Sequence, residues 1–342
     1  MLLVRRLTTV GGGRRAASSE PLTRVRGVST WLLTGGAGYI GAHVLCALRA
    51  AGHDAVVLDD LSTGLTERLP EDVELVRTSL LDPDLTVVLT GLAARRRLDG
   101  VVHLAAKKSV PESVAVPLYY YEQNVGGTVA LLRAATAAGI GRVLYSSSAA
   151  VYGETGAAAV SEDHPTLPTS PYGETKLAGE WAVRRHAEAT GLRWAALRYF
   201  NVAGTASARL ADRGATNLLP LVTRAADAGE PVSVFGDDWP TPDGTCLRDY
   251  VHVEDLAEAH VAAAEVLLDD EAPSPGALNV GRNEPTSVLE VVAAVERVRG
   301  RPVPYRIAAR RPGDPARVIA DASRIADVLG WRASRGIDQM VM

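Results

Sequence analysis

The chain has 342 residues, enough to bury a large core as one large domain or as two lobes. Its 47% hydrophobic and 22% charged residues are typical of a soluble globular protein and exclude a disordered chain. No apolar run approaches the roughly 18 residues of a membrane-spanning helix. A formal net charge of −4 gives no general reason to expect nucleic-acid binding. Cys46 and Cys246 fit neither a metal-binding spacing nor a disulfide framework, which favours the reducing cytoplasm.

The first 29 residues differ from the rest of the chain. They carry six arginines and a single acid, Glu20, and they show no sustained hydrophobic period. An arginine- and serine-rich segment with few acids resembles an organellar transit peptide. A disordered tail, or a start codon placed too far upstream, is favoured because no clear amphipathic helix is present. On each of these readings, residues 1–29 lie outside the fold.

Short apolar runs alternate with helical patterns through the first 200 residues. The runs, predicted as strands, cover residues 30–34, 54–58, 73–76, 101–105, 143–146 and 194–197. A helical pattern follows the glycine-rich turn at 35–41 and runs to about residue 51, and others cover residues 85–96 and 118–138. Another begins at Ser170-Pro171, with serine as the cap and proline in the first turn. This alternation predicts an α/β fold with a doubly wound parallel sheet of the Rossmann type.

After about residue 201 the pattern becomes mixed. Predicted strands at 232–235 and 278–280 and helices at 253–268 and 287–299 are separated by Gly, Pro and Asp. We predict a cofactor-binding Rossmann domain over residues 30–200, to which later segments return. A smaller C-terminal α/β substrate lobe is predicted mainly over residues 201–331, packed over the carboxyl ends of the sheet, where ligands of open α/β folds bind. Residues 332–342 are predicted as a short tail.

A glycine-rich turn follows the first predicted strand and opens the first helix. Gly35, Gly38 and Gly41 permit a tight turn, close approach of a pyrophosphate and close helix–sheet packing. Asp59 ends the second strand 18 residues after Gly41, where a carboxylate can bind the ribose hydroxyls of NAD. Asp59 and Asp60 would repel a 2′-phosphate, so the sequence predicts NAD rather than NADP.

Tyr172 and Lys176 lie four residues apart, downstream of three consecutive serines that end at Ser148. Residues with this spacing share one face of a helix. A free tyrosine titrates near pH ~10, and an adjacent ammonium favours its phenolate, which makes proton transfer near neutral pH feasible. Such a pair alone also occurs as a solvated surface contact. Because the glycine turn upstream predicts a cofactor site, Tyr172 and Lys176 are better interpreted as a proton-transfer site than as a surface contact.

Taken together, these features resemble the extended short-chain dehydrogenase/reductase family, and more narrowly its UDP-galactose 4-epimerases. The likeness covers residues 31 to about 331 and includes the segment 235–245. Its best matches are Gly35-Gly36-Ala37-Gly38-Tyr39-Ile40-Gly41, Ser146-Ser147-Ser148-Ala149-Ala150-Val151-Tyr152-Gly153, Pro171-Tyr172-Gly173-Glu174-Thr175-Lys176, Leu197-Arg198-Tyr199-Phe200-Asn201 and Arg248-Asp249-Tyr250-Val251-His252-Val253.

The resemblance implies a role for each matching residue. Tyr172 would take the proton of the sugar 4-hydroxyl, Ser148 would bind the reacting oxygen, and Lys176 would hold the nicotinamide ribose and, with the cofactor's positive ring, lower the tyrosine pKa. The implied cofactor contacts are Gly35, Gly38, Tyr39, Ile40, Gly41, Asp59, Asp60, Leu80, Lys108, Asn124, Tyr172 and Lys176. The implied substrate contacts, besides Ser148 and Tyr172, are Asn201, Arg248 and Arg311 at the phosphates, Asn217, Leu218 and Phe235 at the uracil, and Asp314 at the uridine ribose. No metal is implied.

The implied activity is the NAD-dependent interconversion of UDP-galactose and UDP-glucose through a 4-keto intermediate, by an isomerase of galactose metabolism. Relatives pair through the helices that correspond to residues 118–138 and to the Tyr172 helix, which implies a homodimer. The chain departs from the family at Ser79-Leu80, where an acid is usual near the adenine, and its short tail lacks the last helix. Val318 stands at the position that gates sugar size, so UDP-N-acetylglucosamine stays open as a substrate. UDP-glucuronate, UDP-xylose and UDP-arabinose stay open too.

Two other functions are compatible with the fold: a dehydratase and a non-catalytic NAD-binding protein. A nucleotide-sugar 4,6-dehydratase of the same fold needs an acid/base pair where this chain has Ala149-Ala150. A non-catalytic NAD-binding protein would tolerate loss of the catalytic side chains, yet Ser148, Tyr172 and Lys176 are all present. His103 and His252 are assigned to packing, because no ligand partners are spaced near them.

Overall fold

The computed structural model describes residues 28–214, 217–311 and 314–341; most of the predicted N-terminal extension, residues 1–29, lies outside the described residues. Its strands are β1 (Thr30–Thr34), β2 (Asp54–Asp59), β3 (Leu75–Arg77), β4 (Gly100–His103), β5 (Arg142–Ser148), β6 (Arg193–Tyr199), β7 (Asn201–Ala203), β8 (Val232–Phe235), β9 (Leu247–His252), β10 (Gly276–Val280), β11 (Pro285–Ser287), β12 (Tyr305–Ala308) and β13 (Arg317–Val318).

Its α-helices are α1 (Tyr39–Ala50), α2 (Leu85–Arg95), α3 (Val110–Ala115), α4 (Pro117–Tyr120), α5 (Gly127–Ala137), α6 (Pro171–Thr190), α7 (Leu218–Ala228), α8 (Val253–Leu268), α9 (Val288–Arg299), α10 (Ser323–Leu329) and α11 (Ile337–Val341). Short 3₁₀ turns lie at Thr66–Arg68 and Ala149–Val151. Within the described ranges, no helix combines the length and the apolar character that crossing a bilayer requires.

The main sheet has seven parallel strands in the order β10-β6-β5-β4-β1-β2-β3. From β1 the chain adds strands in one direction to β3, then returns to β4 and adds strands in the other direction. A crevice opens at such a reversal, beyond the carboxyl ends of β1 and β4. The predicted doubly wound parallel sheet is confirmed.

Helices cover both faces of this sheet. Successive strand residues point to opposite faces, so Trp31 and Leu33 enter the core beneath α1 and α8, whereas Leu32 enters the core beneath α2, α5 and α6. All three side chains are fully buried. Strands covered on both faces have to be apolar along their whole length, which is why β1 was recognisable as a continuous hydrophobic run.

Helix α6, which carries the tyrosine and the lysine, begins where its local sequence dictates. The side chain of Ser170 accepts a hydrogen bond from the Gly173 amide at 3.2 Å, and Pro171 occupies the first turn. The helix ends at Gly191 in the left-handed conformation, with φ of 76°. The predicted start of this helix is confirmed, and it determines where Tyr172 stands relative to the sheet.

The helical stretch predicted over residues 118–138 is confirmed, and it contains a π-helical segment. Helix α4 ends at Tyr120, the π-helical segment occupies Tyr121–Gly126, and α5 begins at Gly127 without a gap. A π-helical turn widens the hydrogen-bond ring and re-aims a side chain, and here Asn124 is buried within it. The sequence did not predict the π-helical segment, because hydrophobic periodicity does not reveal such a turn.

Most of the strands that follow β6 form two small sheets. Strand β9 pairs with β7, β11 and β13, and β8 pairs with β12. Two later elements return to the main sheet, because α8 packs on α1 and β10 extends the sheet beside β6. The division into a domain at 30–200 and a lobe at 201–331 stays a prediction.

Residues 332–342, predicted as a short tail, contain the five-residue helix α11. Its Met340 and Val341 are buried in a core shared with α7 and α9. The buried carboxylate of Asp255 accepts the backbone amides of Ser334 at 3.2 Å and of Arg335 at 2.9 Å, and it forms an ion pair with the Arg335 guanidinium. The end of the described chain is therefore held tightly against α8.

Candidate active site

The glycine-rich turn joins β1 to α1 at the crevice. Gly35 has φ of +72°, and a Cβ there would lie 2.7 Å from the Ala105 amide nitrogen. A Cβ on Gly41 would lie 2.2 Å from the Gly35 carbonyl oxygen, so neither position tolerates a side chain. Among the described residues no side chain caps α1, which leaves its first amides to bind an anion.

Asp59, at the end of β2, stabilises this turn with hydrogen bonds. Its Oδ2 accepts the Ala37 amide and its Oδ1 accepts the Leu61 amide, both at 2.9 Å. Burial raises the pKa of Asp59, although the two amides act in the opposite direction. The neighbouring Asp60 is exposed and accepts the Ser62 amide at 2.8 Å. Asp59 thus has a structural task in the turn that its motif position did not reveal.

A cleft of about 640 Å³ opens over the carboxyl ends of these strands. It brings together all but one of the predicted cofactor residues: Gly35, Gly38, Tyr39, Ile40, Gly41, Asp59, Asp60, Leu80, Lys108, Tyr172 and Lys176. Residues that sequence reasoning missed also line it, among them Ser62, Thr63, Arg68, Asp212 and Arg213. They come from the loop after β2 and from the segment before α7, which carry no recognisable motif.

Asn124 is the predicted cofactor residue that the cleft lining does not include. Its Oδ1 accepts the Lys107 amide at 2.8 Å, and its Nδ2 donates to the Lys107 carbonyl and to Thr175 Oγ1, each at 3.0 Å. The side chain therefore ties the segment after β4 to helix α6. It supports the cleft wall instead of forming part of it.

The three predicted catalytic residues come together at the end of β5. Ser148 lies beside Tyr172 and acts to lower the pKa of that tyrosine, while the Ser148 hydroxyl accepts the Ala150 amide at 3.2 Å. Lys176, one turn further along α6, is only 3% exposed, and its Nζ donates to the Ser146 carbonyl at 2.8 Å. Burial lowers the pKa of Lys176 to about 8. The ammonium is therefore held in one place, in an environment that disfavours its charge.

Burial dominates the pKa of Tyr172. It raises that pKa, and the nearby Ser148 side chain acts in the opposite direction. The prediction that Lys176, together with the cofactor's positive ring, lowers the tyrosine pKa stays a prediction.

A buried polar network lies behind Lys176. Glu180, the next residue on the same face of α6, raises the pKa of Lys176 and forms an ion pair with Arg198 of β6 at 2.7 Å. Arg198 also donates to the Tyr152 hydroxyl at 2.8 Å, and that hydroxyl donates to Asn279 of β10 at 2.7 Å. The network fixes the catalytic helix against the edge of the main sheet. Sequence reasoning did not identify it.

Four of the predicted substrate residues form two pairs in the second lobe. The Arg311 guanidinium lies 3.8 Å from the centroid of the Phe235 ring. The Arg248 guanidinium lies 3.8 Å from the Asp314 carboxylate. Arginine and an aromatic face are the groups that bind phosphate and a planar base.

The other predicted substrate residues are dispersed. Asn217 precedes α7 and donates to Asp212, a residue of the cleft wall, at 2.6 Å, and Leu218 is the first residue of α7. Asn201 is exposed at the start of β7. Within the described ranges, none of the predicted residues of the second lobe lines the 640 Å³ cleft. Their shared role in substrate binding stays a prediction.

His103 and His252, which the sequence assigned to packing, both make hydrogen bonds within the fold. His103 is buried between Thr34, at 2.7 Å, and Thr128, at 3.0 Å, and burial lowers its pKa to about 3. The His252 Nδ1 accepts the Glu254 amide at 3.1 Å and caps α8. In the described part of the chain, no three His, Cys, Asp or Glu side chains converge on a metal-ion position.

A parallel sheet with a glycine turn at its switch point, a carboxylate after the second strand and a Ser–Tyr–Lys cluster define a nicotinamide-dependent short-chain dehydrogenase/reductase. A comparison with family models narrows this class. The chain belongs to the NAD dependent epimerase/dehydratase family, whose model matches residues 31–281.

Individual relatives agree with this assignment. The UDP-glucose 4-epimerase of Azospirillum brasilense is 45% identical over 304 residues, which cover 88% of this chain and 86% of the relative. That of Streptomyces lividans is 44% identical over 308 residues, with 89% and 92% covered. A solved UDP-glucose-4-epimerase from Stenotrophomonas maltophila, with bound NAD and formylated UDP-arabinopyranose, has a TM-score of 0.85 and 38% identity, with 92% of this chain and 96% of that chain covered.

Proposed function

We propose that the protein interconverts UDP-glucose and UDP-galactose by transient oxidation at C4 of the sugar, with NAD as its cofactor. The observation that carries the proposal is the meeting of Ser148, Tyr172 and the buried Lys176 at the end of β5, with Tyr172 and Lys176 in the lining of the glycine-rich cleft. The glycine turn fits the dinucleotide, because Gly35 and Gly41 permit a tight turn that a Cβ would prevent, and the start of α1 lies uncapped at the cleft.

The residues of this chain divide the proton chemistry between them. Tyr172 takes the 4-hydroxyl proton as the C4 hydride leaves, and the two losses together give the 4-keto sugar; Tyr172 returns the proton in the reverse step, and Ser148 holds the reacting oxygen. The Lys176 ammonium, fixed by the Ser146 carbonyl, places positive charge beside Tyr172. When bound, NAD supplies the acceptor and donor of the C4 hydride and a positive ring that favours the tyrosinate. Burial alone raises the pKa of Tyr172, so this added charge is needed.

Inversion at C4 requires a firmly held nucleotide and a loosely held sugar, so that the keto sugar can present its other face. Arg248 and Arg311 are proposed to bind the diphosphate, with Phe235 against the uracil and Asp314 at the uridine ribose. The guanidinium of Arg311 is already oriented by its contact with Phe235. A planar guanidinium binds phosphate oxygens with two parallel hydrogen bonds, which suits this anchoring task.

The test is turnover by the purified protein with UDP-galactose and, separately, with UDP-glucuronate, followed by separation of the epimers. We expect UDP-glucose to form from UDP-galactose. Tyr172→Phe should retain NAD while losing turnover, because only the proton acceptor is removed. Absence of turnover in NAD-loaded protein favours a non-catalytic role, and substantial activity of Tyr172→Phe refutes the assignment of the base.

A wider sugar range is a second candidate, favoured by the surroundings of Val318. This half-buried residue of β13 packs in a cluster with Leu177 of the catalytic helix, Tyr152 and Phe200. A small side chain at this place leaves room beside the reacting sugar. We propose that UDP-N-acetylglucosamine is accepted as well; inertness toward it in protein that is active on UDP-glucose contradicts this extension.

We further infer a homodimer located in the cytoplasm. Large apolar side chains are exposed on neighbouring elements, with Val114 on α3, Leu118 on α4 and Trp181 on α6. Leu118 is 82% exposed, and an apolar patch of this kind is typical of an interface between chains. The location rests on Cys46 and Cys246, which are both free thiols. Light scattering on the purified protein measures the oligomeric state.

A further inference from the structure

Arg68 is a buried cation in the wall of the cofactor cleft. It is the last residue of the 3₁₀ turn that follows β2, and its side chain lines the same cleft as the glycine turn and Lys176. Only 4% of the residue is exposed. None of the motifs that identify the family includes this position.

The guanidinium of Arg68 is only partly satisfied by the protein. Its Nη2 donates to the Ala211 carbonyl at 2.9 Å. In residues 28–214, 217–311 and 314–341, its buried Nε has no hydrogen-bond partner. Burial lowers the pKa of Arg68, as expected for a cation removed from water.

The acidic groups that act on Arg68 are engaged elsewhere. The Glu67 carboxylate pairs with Arg213 at 2.6 Å. The Asp212 carboxylate accepts the Gly214 amide at 2.9 Å and the Asn217 side chain at 2.6 Å. Among the described residues, neither carboxylate forms an ion pair with Arg68, although both favour its charge.

A buried guanidinium without a carboxylate partner is unfavourable unless another anion joins it. The ligand of this cleft carries two phosphates, and a planar guanidinium matches phosphate oxygens. The turn that carries Arg68 lies against the glycine turn, since the Leu65 amide donates to the Ala37 carbonyl at 3.0 Å. The first amides of α1 are where a pyrophosphate binds.

Residues 204–214 lie over the end of the cleft that contains Arg68. We call them the closing segment. The Tyr39 hydroxyl donates to the Gly204 carbonyl at 2.5 Å, and the Ala206 amide donates to His43 at 3.1 Å. The hydrogen bond from Arg68 to Ala211 is the third connection of this kind. Arg68 thus stands between the closing segment and the place of the phosphates.

We propose that Arg68 is a cofactor-binding residue whose guanidinium donates to the pyrophosphate of the dinucleotide while it holds the closing segment through Ala211. The inference rests on NAD as the cofactor and is independent of the sugar that is epimerised. The diphosphate of a UDP-sugar has the same chemistry. We assign the cofactor because Arg68 lines the cleft of the glycine turn, whereas Arg248 and Arg311 do not.

The test is binding of NAD, ADP, adenosine and UDP to the full-length protein stripped of cofactor, by calorimetry or competition, together with the NAD retained per chain on purification. Arg68→Met removes the charge and keeps an unbranched side chain. We expect NAD and ADP to bind at least about tenfold more weakly, because a hydrogen bond to a charged group is lost. Adenosine, which lacks phosphate, and UDP should bind as to the parent protein.

Arg297→Met is the matched control, since Arg297 is exposed, is paired with Asp338 at 2.6 Å and lies outside the cleft. Its NAD affinity should stay within about threefold of the parent. If Arg68→Met weakens adenosine as much as NAD, the residue acts only through the closing segment. If it weakens UDP as much as NAD, the diphosphate of the substrate is the true ligand. Unchanged NAD affinity also overturns the proposal.

Arg68→Lys serves where Arg68→Met fails to fold. Lysine keeps the charge but loses the Nε donor and the planar fork, so NAD should bind about threefold to tenfold more weakly. Parental NAD affinity in a folded Arg68→Lys contradicts a role for Nε. Far-UV circular dichroism of both variants establishes that the protein is folded.

Discussion

Replacement of Glu180 by glutamine tests the buried network behind the catalytic lysine. Glu180 and Arg198 are both nearly inaccessible, and the guanidinium donates to the carboxylate at 2.9 and 2.7 Å. Without that carboxylate, Arg198 retains the Tyr152 hydroxyl at 2.8 Å and a distant carbonyl at 3.5 Å, neither of which is charged. Removal of one member of a buried ion pair costs about 3–5 kcal/mol. We expect Glu180→Gln to lose this amount of unfolding free energy.

The same change should alter the pH dependence of turnover. Glu180 raises the pKa of Lys176, which is about 8, so its replacement lowers that pKa further. The ammonium is present below its pKa and lost above it. The alkaline loss of kcat/KM should therefore begin at a lower pH in Glu180→Gln than in the parent protein.

Urea unfolding and the pH profile of kcat/KM measure the two effects. Glu188→Gln is the matched control on the same helix, because Glu188 pairs with Arg185 at side-chain exposures of 49% and 70%. An exposed pair contributes little, so this variant should stay within about 0.5 kcal/mol of the parent. If the two variants unfold at the same urea concentration, or if the alkaline limb does not move, the positioning role of Glu180 is wrong.

Three further changes test other parts of the molecule. Gly41→Ala should purify without NAD, as measured by the nucleotide released per chain, because its Cβ would lie 2.2 Å from the Gly35 carbonyl oxygen; full occupancy refutes the tight turn. Val318→Tyr should lower kcat/KM for UDP-N-acetylglucosamine at least about tenfold relative to UDP-glucose; an unchanged ratio removes Val318 from the sugar pocket. Leu118→Asp should give a monomer by light scattering, since a charge would be buried in the inferred interface; a persistent dimer places the interface elsewhere.

Three elements could be predicted from sequence to the residue. Strand β1, strand β8 and helix α8 were predicted with the bounds that the structure has. Each is an apolar run or an amphipathic period that stops at a glycine, a proline or a capping residue, and these signals are local. The glycine turn and the tyrosine–lysine spacing are local signals as well, and they were sufficient for the family and the class of chemistry.

The features that could not be predicted depend on contacts between distant parts of the chain. Arg68, in the cleft wall, donates a hydrogen bond to Ala211, which is 143 residues away in the chain, and no pattern near Arg68 predicts that contact. The burial that raises the pKa of Tyr172 is a property of the assembled site. The π-helical turn at Asn124 is stabilised by Lys107 and Thr175, which come from two other segments. Local sequence cannot encode which distant groups will meet.

The interleaved path of the chain has a practical consequence for anyone who wishes to transplant the cofactor-binding half. A fragment that stops near residue 200 would lack α8 and β10, although Leu256 and Ala263 of α8 share a core with Trp31 and Leu33 of β1. The part of this sheet face that α8 covers would expose its apolar side chains, and the outer edge of the sheet would be open to pairing with other chains. A chimera between relatives must therefore exchange residues 253–280 together with the N-terminal half. Without them, we expect the exposed sheet to aggregate and the nucleotide site not to form.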